Sequence, residues 1–251
     1  MAGAYAETFA TLCRGTVPLL VGEIRDGDRV LDVGCGTGEL AVRARGAGAS
    51  VTAVDDDPGM VALARDAIGD VVLRAALPNL PFVDGAFDVV IANFVVNHVA
   101  DPRAATRELA RLAAPGGRVL ASVWPSGQTV QSRLMAEIVA AAGAVPPPSL
   151  TLPPELDFRR TTAGLAGLLA GAGLADVRVE EHTWMWRIRA EQLWAGVRAG
   201  IGGIGATYRR QPLEVQRRLD EAFVRLREPL LDGDELVLPS TALVGRGRLE
   251  A

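Results

Sequence analysis

Between residues 30 and 123, apolar runs of strand length alternate with stretches in which apolar side chains recur every three to four residues. Val30-Leu31-Asp32-Val33 is the first strand, and it runs into Gly34-Cys35-Gly36-Thr37-Gly38 and a helix over 38–46 that ends at Gly46 and Gly48. A strand over 50–55 follows. Asp57-Pro58 then supplies an N-cap and a proline at the first helical position, opening a helix whose Met60, Ala64, Ala67 and Ile68 are expected inward. Strands are predicted over 70–74 and 87–92, the latter a near-continuous apolar run of the kind that fills a parallel strand buried on both faces. Asp101-Pro102 caps the next helix, with Ala105, Leu109 and Leu112 inward and Pro115-Gly116-Gly117 as its stop, before a strand over 118–123. Ahead of this alternation, Tyr5, Phe9, Leu12, Cys13, Val17 and Leu20 make one stripe of a helix over 3–22.

Beyond Trp124 the pattern predicts a helix over 127–142, a proline-rich loop over 146–154 and a helix over 161–171. Leu174–Glu181 reads as a sixth strand and 235–244 as the last, with a helical insertion over about 182–233. His182, Trp184, Trp186 and Ile188 alternate and so share one face of an extended stretch, either lining a pocket for a flat apolar acceptor or packing a lid or homodimer contact. Gly200-Ile201-Gly202-Gly203-Ile204-Gly205 has no strand before it and no lysine after it, so it reads as a mobile hinge between helices and not as a phosphate loop. Helix 212–227, with Val215, Leu219, Phe223 and Leu226 inward, reads as structural cover.

Composition narrows the function classes. The 251 residues are 49% hydrophobic and 22% charged, enough for one domain with a sizeable core. A net charge of -4 and no basic cluster give no footprint for nucleic acid. All 26 basic residues are arginine, which excludes a Schiff-base lysine and a P-loop lysine. Cys13 and Cys35 are too few for a metal cage or a disulfide framework, so no metal is expected and a reducing cytoplasm is the natural compartment. No signal-peptide pattern and no membrane-length apolar run is present.

The chemistry gathers at the first strand. Gly34, Gly36 and Gly38 let the backbone bend sharply and a ligand approach it, and the helix beginning at Glu39 turns free N–H groups and a positive dipole end toward that space. Asp55, at the end of the second strand, stands where a carboxylate would hold ribose hydroxyls. Asp32-Val33-Gly34-Cys35-Gly36-Thr37-Gly38 with Asp55 resembles the cofactor site of the class I S-adenosylmethionine-dependent methyltransferases; the spacing is G-x-G-x-G, whereas the nicotinamide fingerprint is G-x-G-x-x-G. Leu80-Pro81-Phe82, Asp84-Gly85, Phe87-Asp88, Glu108, Arg111 and Pro115-Gly116-Gly117 extend the resemblance over about 25–124.

The resemblance implies a doubly wound, seven-stranded, mostly parallel α/β sheet with an antiparallel last strand, in a single domain over 1–251. Within it, residues 1–25 would form a lid helix, 26–124 the cofactor half and 125–251 the substrate half, with helical cover over the substrate site. It implies S-adenosylmethionine as cofactor, S-adenosylhomocysteine as product, and methyl transfer by direct displacement to a small, partly apolar acceptor such as a quinone or a secondary-metabolite precursor. Gly34, Cys35, Gly36 and Gly38 would cradle the methionine portion, Asp32 would support its amino group, and Asp55 would hold the ribose. Asp56, Met60, Ala76 and Leu77 would border the adenine, and Asn93 and Phe94 the methyl group. Two positions depart from the family pattern: Asp56 replaces an apolar residue, and Ala76 replaces the acid that usually accepts from the adenine amino group. His98 is the candidate general base, with local steadying of its loop as the alternative, and Tyr5 is a candidate to close over the site. A non-catalytic cofactor-binding module and a nicotinamide-dependent oxidoreductase are the competing functional readings.

Overall fold

A computed structural model describes residues 2–127, 129–148 and 152–250. In chain order the first elements are α1 (Ala2–Glu7), α2 (Phe9–Cys13), a 3-10 turn at Arg14–Thr16, α3 (Val17–Val21), β1 (Arg29–Val33), α4 (Glu39–Gly46), β2 (Ser50–Asp55), α5 (Pro58–Ile68) and β3 (Val72–Arg74). Next come β4 (Phe87–Asn93), α6 (Pro102–Leu112), β5 (Ala113–Val123), α7 (Val130–Ala142), α8 (Thr162–Ala170) and β6 (Leu174–Arg189). The chain closes with α9 (Ala190–Arg198), α10 (Gly202–Arg210), α11 (Leu213–Leu226), a 3-10 turn at Glu228–Leu230, β7 (Leu231–Asp232) and β8 (Glu235–Leu249).

The sheet runs β3-β2-β1-β4-β5-β8-β6, with the two-residue β7 paired onto β8. The first five are parallel, and β8 is antiparallel to β5 from Arg118↔Arg248 to Val123↔Leu243. Apolar side chains fill both faces of the central strands, as the absence of alternation in β1 and β4 requires.

The chain divides into two compact units. The sheet unit comprises Thr16–Ser126, Leu152–His182 and Ala242–Ala251. Its core joins Leu31, Val90, Leu109, Val119 and Leu243 to Leu165 and Leu169 of α8. Asp57 accepts from the N–H groups of Gly59 and Met60, and Asp101 from that of Ala104, so both expected caps form. Arg111 bridges Glu108 and Asp84 while Glu108 accepts from Leu80 N–H, tying the loop before β4 to α6.

The helical unit comprises Met1–Gly15, Gly127–Thr151 and Thr183–Thr241. Its centre is Trp194, stacked on Phe223 with ring centroids 4.2 Å apart and donating to Asp220 at 2.7 Å.

Several expectations are corrected. The helix over 3–22 is broken at Thr8, whose hydroxyl donates to Ala4 C=O at 2.6 Å, and again ahead of Pro18, whose ring cannot continue a helix. In α5 the inward stripe is Val61, Ala64 and Ile68; Ala67 is exposed and Met60 only half-buried. Helix α6 ends at Leu112, and Pro115-Gly116-Gly117 belongs to the irregular opening of β5, where the register against β4 shifts. The segment over 182–233 begins as strand, because β6 continues to Arg189 and carries the alternating His182, Trp184, Trp186 and Ile188. Gly202–Gly205 opens α10, so the predicted hinge reduces to Gly200 and Ile201. Within the proline-rich loop, Ser149–Thr151 lie outside the described residues.

Candidate functional site

The parallel strands of the sheet unit direct their carboxyl ends to one edge, and β1 lies between β2 and β4, where the strand order reverses; open α/β sheets bind ligands in that crevice. The glycine turn, Asp55, the loop after β3, residues 93–98 and Trp124 all follow the carboxyl ends of their strands.

The three glycines of the turn do different work. All have positive φ, at 66°, 54° and 82° for Gly34, Gly36 and Gly38. A Cβ on Gly34 would overlap the side chain of Val95, and one on Gly38 would come 3.3 Å from Ala64 Cα, so these two permit close packing of the 93–98 loop and of α4 on α5. A Cβ on Gly36 would meet nothing within 4 Å. Gly36 is thus the turn residue whose Cα faces open space.

Asp55 holds this turn. Its Oδ2 accepts from Gly36 N–H at 2.8 Å and its Oδ1 from Asp57 N–H at 3.0 Å. A carboxylate has about four acceptor positions, so two remain for hydroxyl groups of a ligand. Burial raises its pKa, against the pull of those two N–H groups, and the neighbouring Asp56 and Asp57 raise it further.

Asp32 sits mid-strand between Ala53 and Ile91 and is 1% exposed. Its Oδ2 is buried with no hydrogen-bond partner among the described residues. Burial first, and the charge of Asp55 second, push its pKa up to about 7, while Ala41 N–H opposes them. A buried carboxyl with an unused oxygen is a counter-charge for a cationic ligand group. Cys35 is buried beside this pair and donates its N–H to Val54 C=O at 3.0 Å; burial and the two aspartates raise its thiol pKa, so it stays a protonated packing group.

At the end of β4, Asn93 Oδ1 accepts from Thr16 Oγ1 at 2.8 Å and from Ser122 Oγ at 2.5 Å. Phe94 has φ of 58°, unusual for a non-glycine residue, and its N–H donates to Ser122 Oγ at 3.0 Å. Its ring lies on that of Trp124 at the end of β5, centroids 3.9 Å apart and 17° from parallel. Sequence reasoning missed Trp124, Ser122 and Thr16. The signal available was weak, a tryptophan directly following the fifth strand, because the stack depends on the rare backbone conformation of Phe94.

His98 lies exposed in the same loop, and Asn97 Nδ2 donates to its Nε2 at 3.1 Å. Partial burial, then the positive charge of Arg160, lower its pKa, so the imidazole is neutral at working pH. Asp56 is exposed, its carbonyl accepting from Arg74 Nε at 3.1 Å; Met60 is half-buried in the first turn of α5; Ala76 is exposed and Leu77 half-buried against the core. Tyr5 belongs to the helical unit, where its hydroxyl lies 3.8 Å from Cys13 Sγ. There too, Trp186 donates to Thr11 Oγ1 at 2.9 Å and packs near Phe9, and the ring of Trp184 covers Gly15. That aromatic face is engaged in packing. Among the described residues, no group of three or more His, Cys, Asp or Glu is placed to hold a metal ion, and no helix is long and apolar enough to cross a membrane.

The methyltransferase-domain family matches residues 31–121. The demethylmenaquinone methyltransferase of Mycolicibacterium vanbaalenii is 34% identical over 166 residues, covering 62% of this chain and 72% of that protein. The enzyme of the same name from Mycolicibacterium paratuberculosis is 30% identical over 195 residues, covering 74% of this chain and 78% of its own. Among solved structures, the YcgJ protein of Bacillus subtilis shares the fold, with a TM-score of 0.59 at 19% identity over 94% of this chain and 98% of its own. The matched span holds the glycine turn, Asp55 and the 93–98 loop, and with these relatives it shows that the chain belongs to the class I S-adenosylmethionine-dependent methyltransferases.

Proposed function

We propose that the chain methylates a flat, partly apolar acceptor of the quinone kind, whose ring is held against the Phe94–Trp124 stack. The carrying observation is that stack: two parallel aromatic rings at the carboxyl ends of β4 and β5, on the edge that carries the glycine turn. Planar apolar rings bind such surfaces through dispersion and offset stacking. The names of the two curated relatives agree with a quinone-type acceptor.

The residues present fit S-adenosylmethionine. The unused Oδ2 of Asp32 suits an α-ammonium group, the open face of Gly36 lets a ligand approach the turn, and the spare acceptor positions of Asp55 suit ribose hydroxyls. Exposed Ala76 and half-buried Leu77 leave only backbone groups to accept from an adenine amino group, which costs about 1 kcal/mol relative to an acid there.

When bound, the cofactor supplies a methyl group made electrophilic by its sulfonium. Most of what the chain contributes is alignment of the acceptor with that group. Neutral His98 is the candidate to take the acceptor's proton; its Nε2 must first release the Asn97 amide. A reducing cytoplasm is the proposed compartment, neither cysteine being in a disulfide.

The test is a methyl-transfer assay with prenylated naphthoquinols and benzoquinols. Trp124→Ala should raise the acceptor KM at least about fivefold and leave S-adenosylhomocysteine affinity unchanged, since one aromatic contact is worth about 1 kcal/mol or more with its buried area. Absence of transfer to every quinol, or an unchanged KM in the variant, overturns the reading.

A further inference from the structure

Strand β6 ends the sheet, so alternate N–H and C=O groups along its outer side have no strand partner there. Within the sheet unit, the odd residues Val177 and Val179 pack against the apolar core, and the even residues Arg178 and Glu180 are exposed on the opposite face. Neither the Arg178 nor the Glu180 side chain forms a hydrogen bond or ion pair among the described residues. Both border a cavity of about 200 Å³ that is also lined by Leu19, Leu20, Glu23 and Arg246, where Arg246 and Glu23 form an ion pair of their own. An arginine and a glutamate two positions apart on an open edge, one valine between them, form a self-complementary set.

We propose that this edge is a homodimer contact, in which Val177–Glu181 pairs antiparallel with the same segment of a second copy about a twofold axis through Val179. A twofold axis normal to the sheet keeps even residues opposite even residues. With the axis at Val179, Arg178 of each copy faces Glu180 of the other, and the two Val179 side chains meet. Moving the axis one residue either way sets Arg178 against Arg178 or Glu180 against Glu180. Opposite charges directly across an antiparallel pair stabilise it and like charges destabilise it, so the charge pattern admits one register of the three. Asp176, with φ of 50°, leaves the extended conformation and bounds the segment on one side.

Sedimentation velocity of the full chain in low salt, from micromolar to millimolar concentration, reads the assembly. The expected result is a reversible monomer–dimer equilibrium, weakened at least about tenfold by Arg178→Glu or by Glu180→Arg, and restored to within about threefold by the two together. The swapped pair recreates the complementarity, which a merely structural role for either residue would not do. Independently, Val179→Cys should form a disulfide-linked dimer under mild oxidation, because only the residue on the axis meets itself, whereas Val177→Cys and the wild-type chain should not. A monomer at all concentrations, a dimer indifferent to the single swaps, or cross-linking at position 177 in place of 179 overturns the proposal.

Discussion

Two glycine-rich stretches of this chain look alike on paper and differ in what surrounds them. At Gly34–Gly38 the glycines follow a buried strand, a buried carboxylate pair lies beneath them, and Gly36 faces open space. At Gly200–Gly205 a Cβ on Gly205 would overlap the backbone of Gly200, which marks close packing of the turn onto the first coil of α10. Glycine spacing reports only that a side chain is unwelcome. Whether a ligand or another segment of chain takes its place depends on the neighbours.

The largest effect that tests this contrast is expected at Gly36. Gly36→Val should weaken S-adenosylhomocysteine binding at least about a hundredfold by calorimetry, because the new side chain fills the open face at a φ of 54°. Its stability should fall by only about 1–2 kcal/mol, the cost of a left-handed non-glycine residue.

Smaller is the effect of Asp32→Asn, which is seen best as a loss of pH dependence. The wild-type carboxyl, raised to about 7, is neutral below that pH and cannot balance an α-ammonium group. Affinity should therefore fall about tenfold for each pH unit below 7, and stay flat in the variant. The stability of the unliganded chain carries the opposite sign. Because the folded pKa lies above the unfolded one, wild-type stability is lost as pH rises from about 4 through about 7, and Asp32→Asn should melt higher than wild type at pH 8 but not at pH 4. Equal affinity profiles for the two proteins would remove Asp32 from ligand binding.

The smallest effect on affinity is expected at the second stretch. Gly205→Ala should leave S-adenosylhomocysteine affinity within about twofold and lower stability by about 1–3 kcal/mol, since backbone must move to admit the methyl group. A large affinity loss with intact stability would erase the distinction between the two stretches.

Much of the sheet unit was legible in the chain. The apolar runs of β1 and β4, and the caps Asp57 and Asp101, act over a few residues, and local chemistry decides them. The broken N-terminal helix was obscured because its apolar stripe continues through Thr8 and Pro18 although the backbone does not. Of the site, the glycines and Asp55 were readable because their spacing is local. The tie from Asp55 to Gly36 N–H was not, because it spans 19 residues. The tryptophans of β6 invited a pocket reading from alternation alone, and their engagement with Thr11 and Gly15 depends on chain far off in sequence, 175 residues away for Thr11 and Trp186.

By itself, then, the sequence determined the strand and helix alternation, the turn after β1, the family and the cofactor that goes with it. The alternation and the turn follow from side-chain periodicity and from residue types whose backbone preferences act at short range, and the family and cofactor from the resemblance that the Asp32–Gly38 motif carries with Asp55. Tertiary structure decided which glycine faces open space, that Asp32 has a buried unused oxygen, and that Phe94 stacks on Trp124. Those properties belong to pairs of strands brought side by side, and burial, electric field and stacking arise only between residues that the fold has made neighbours.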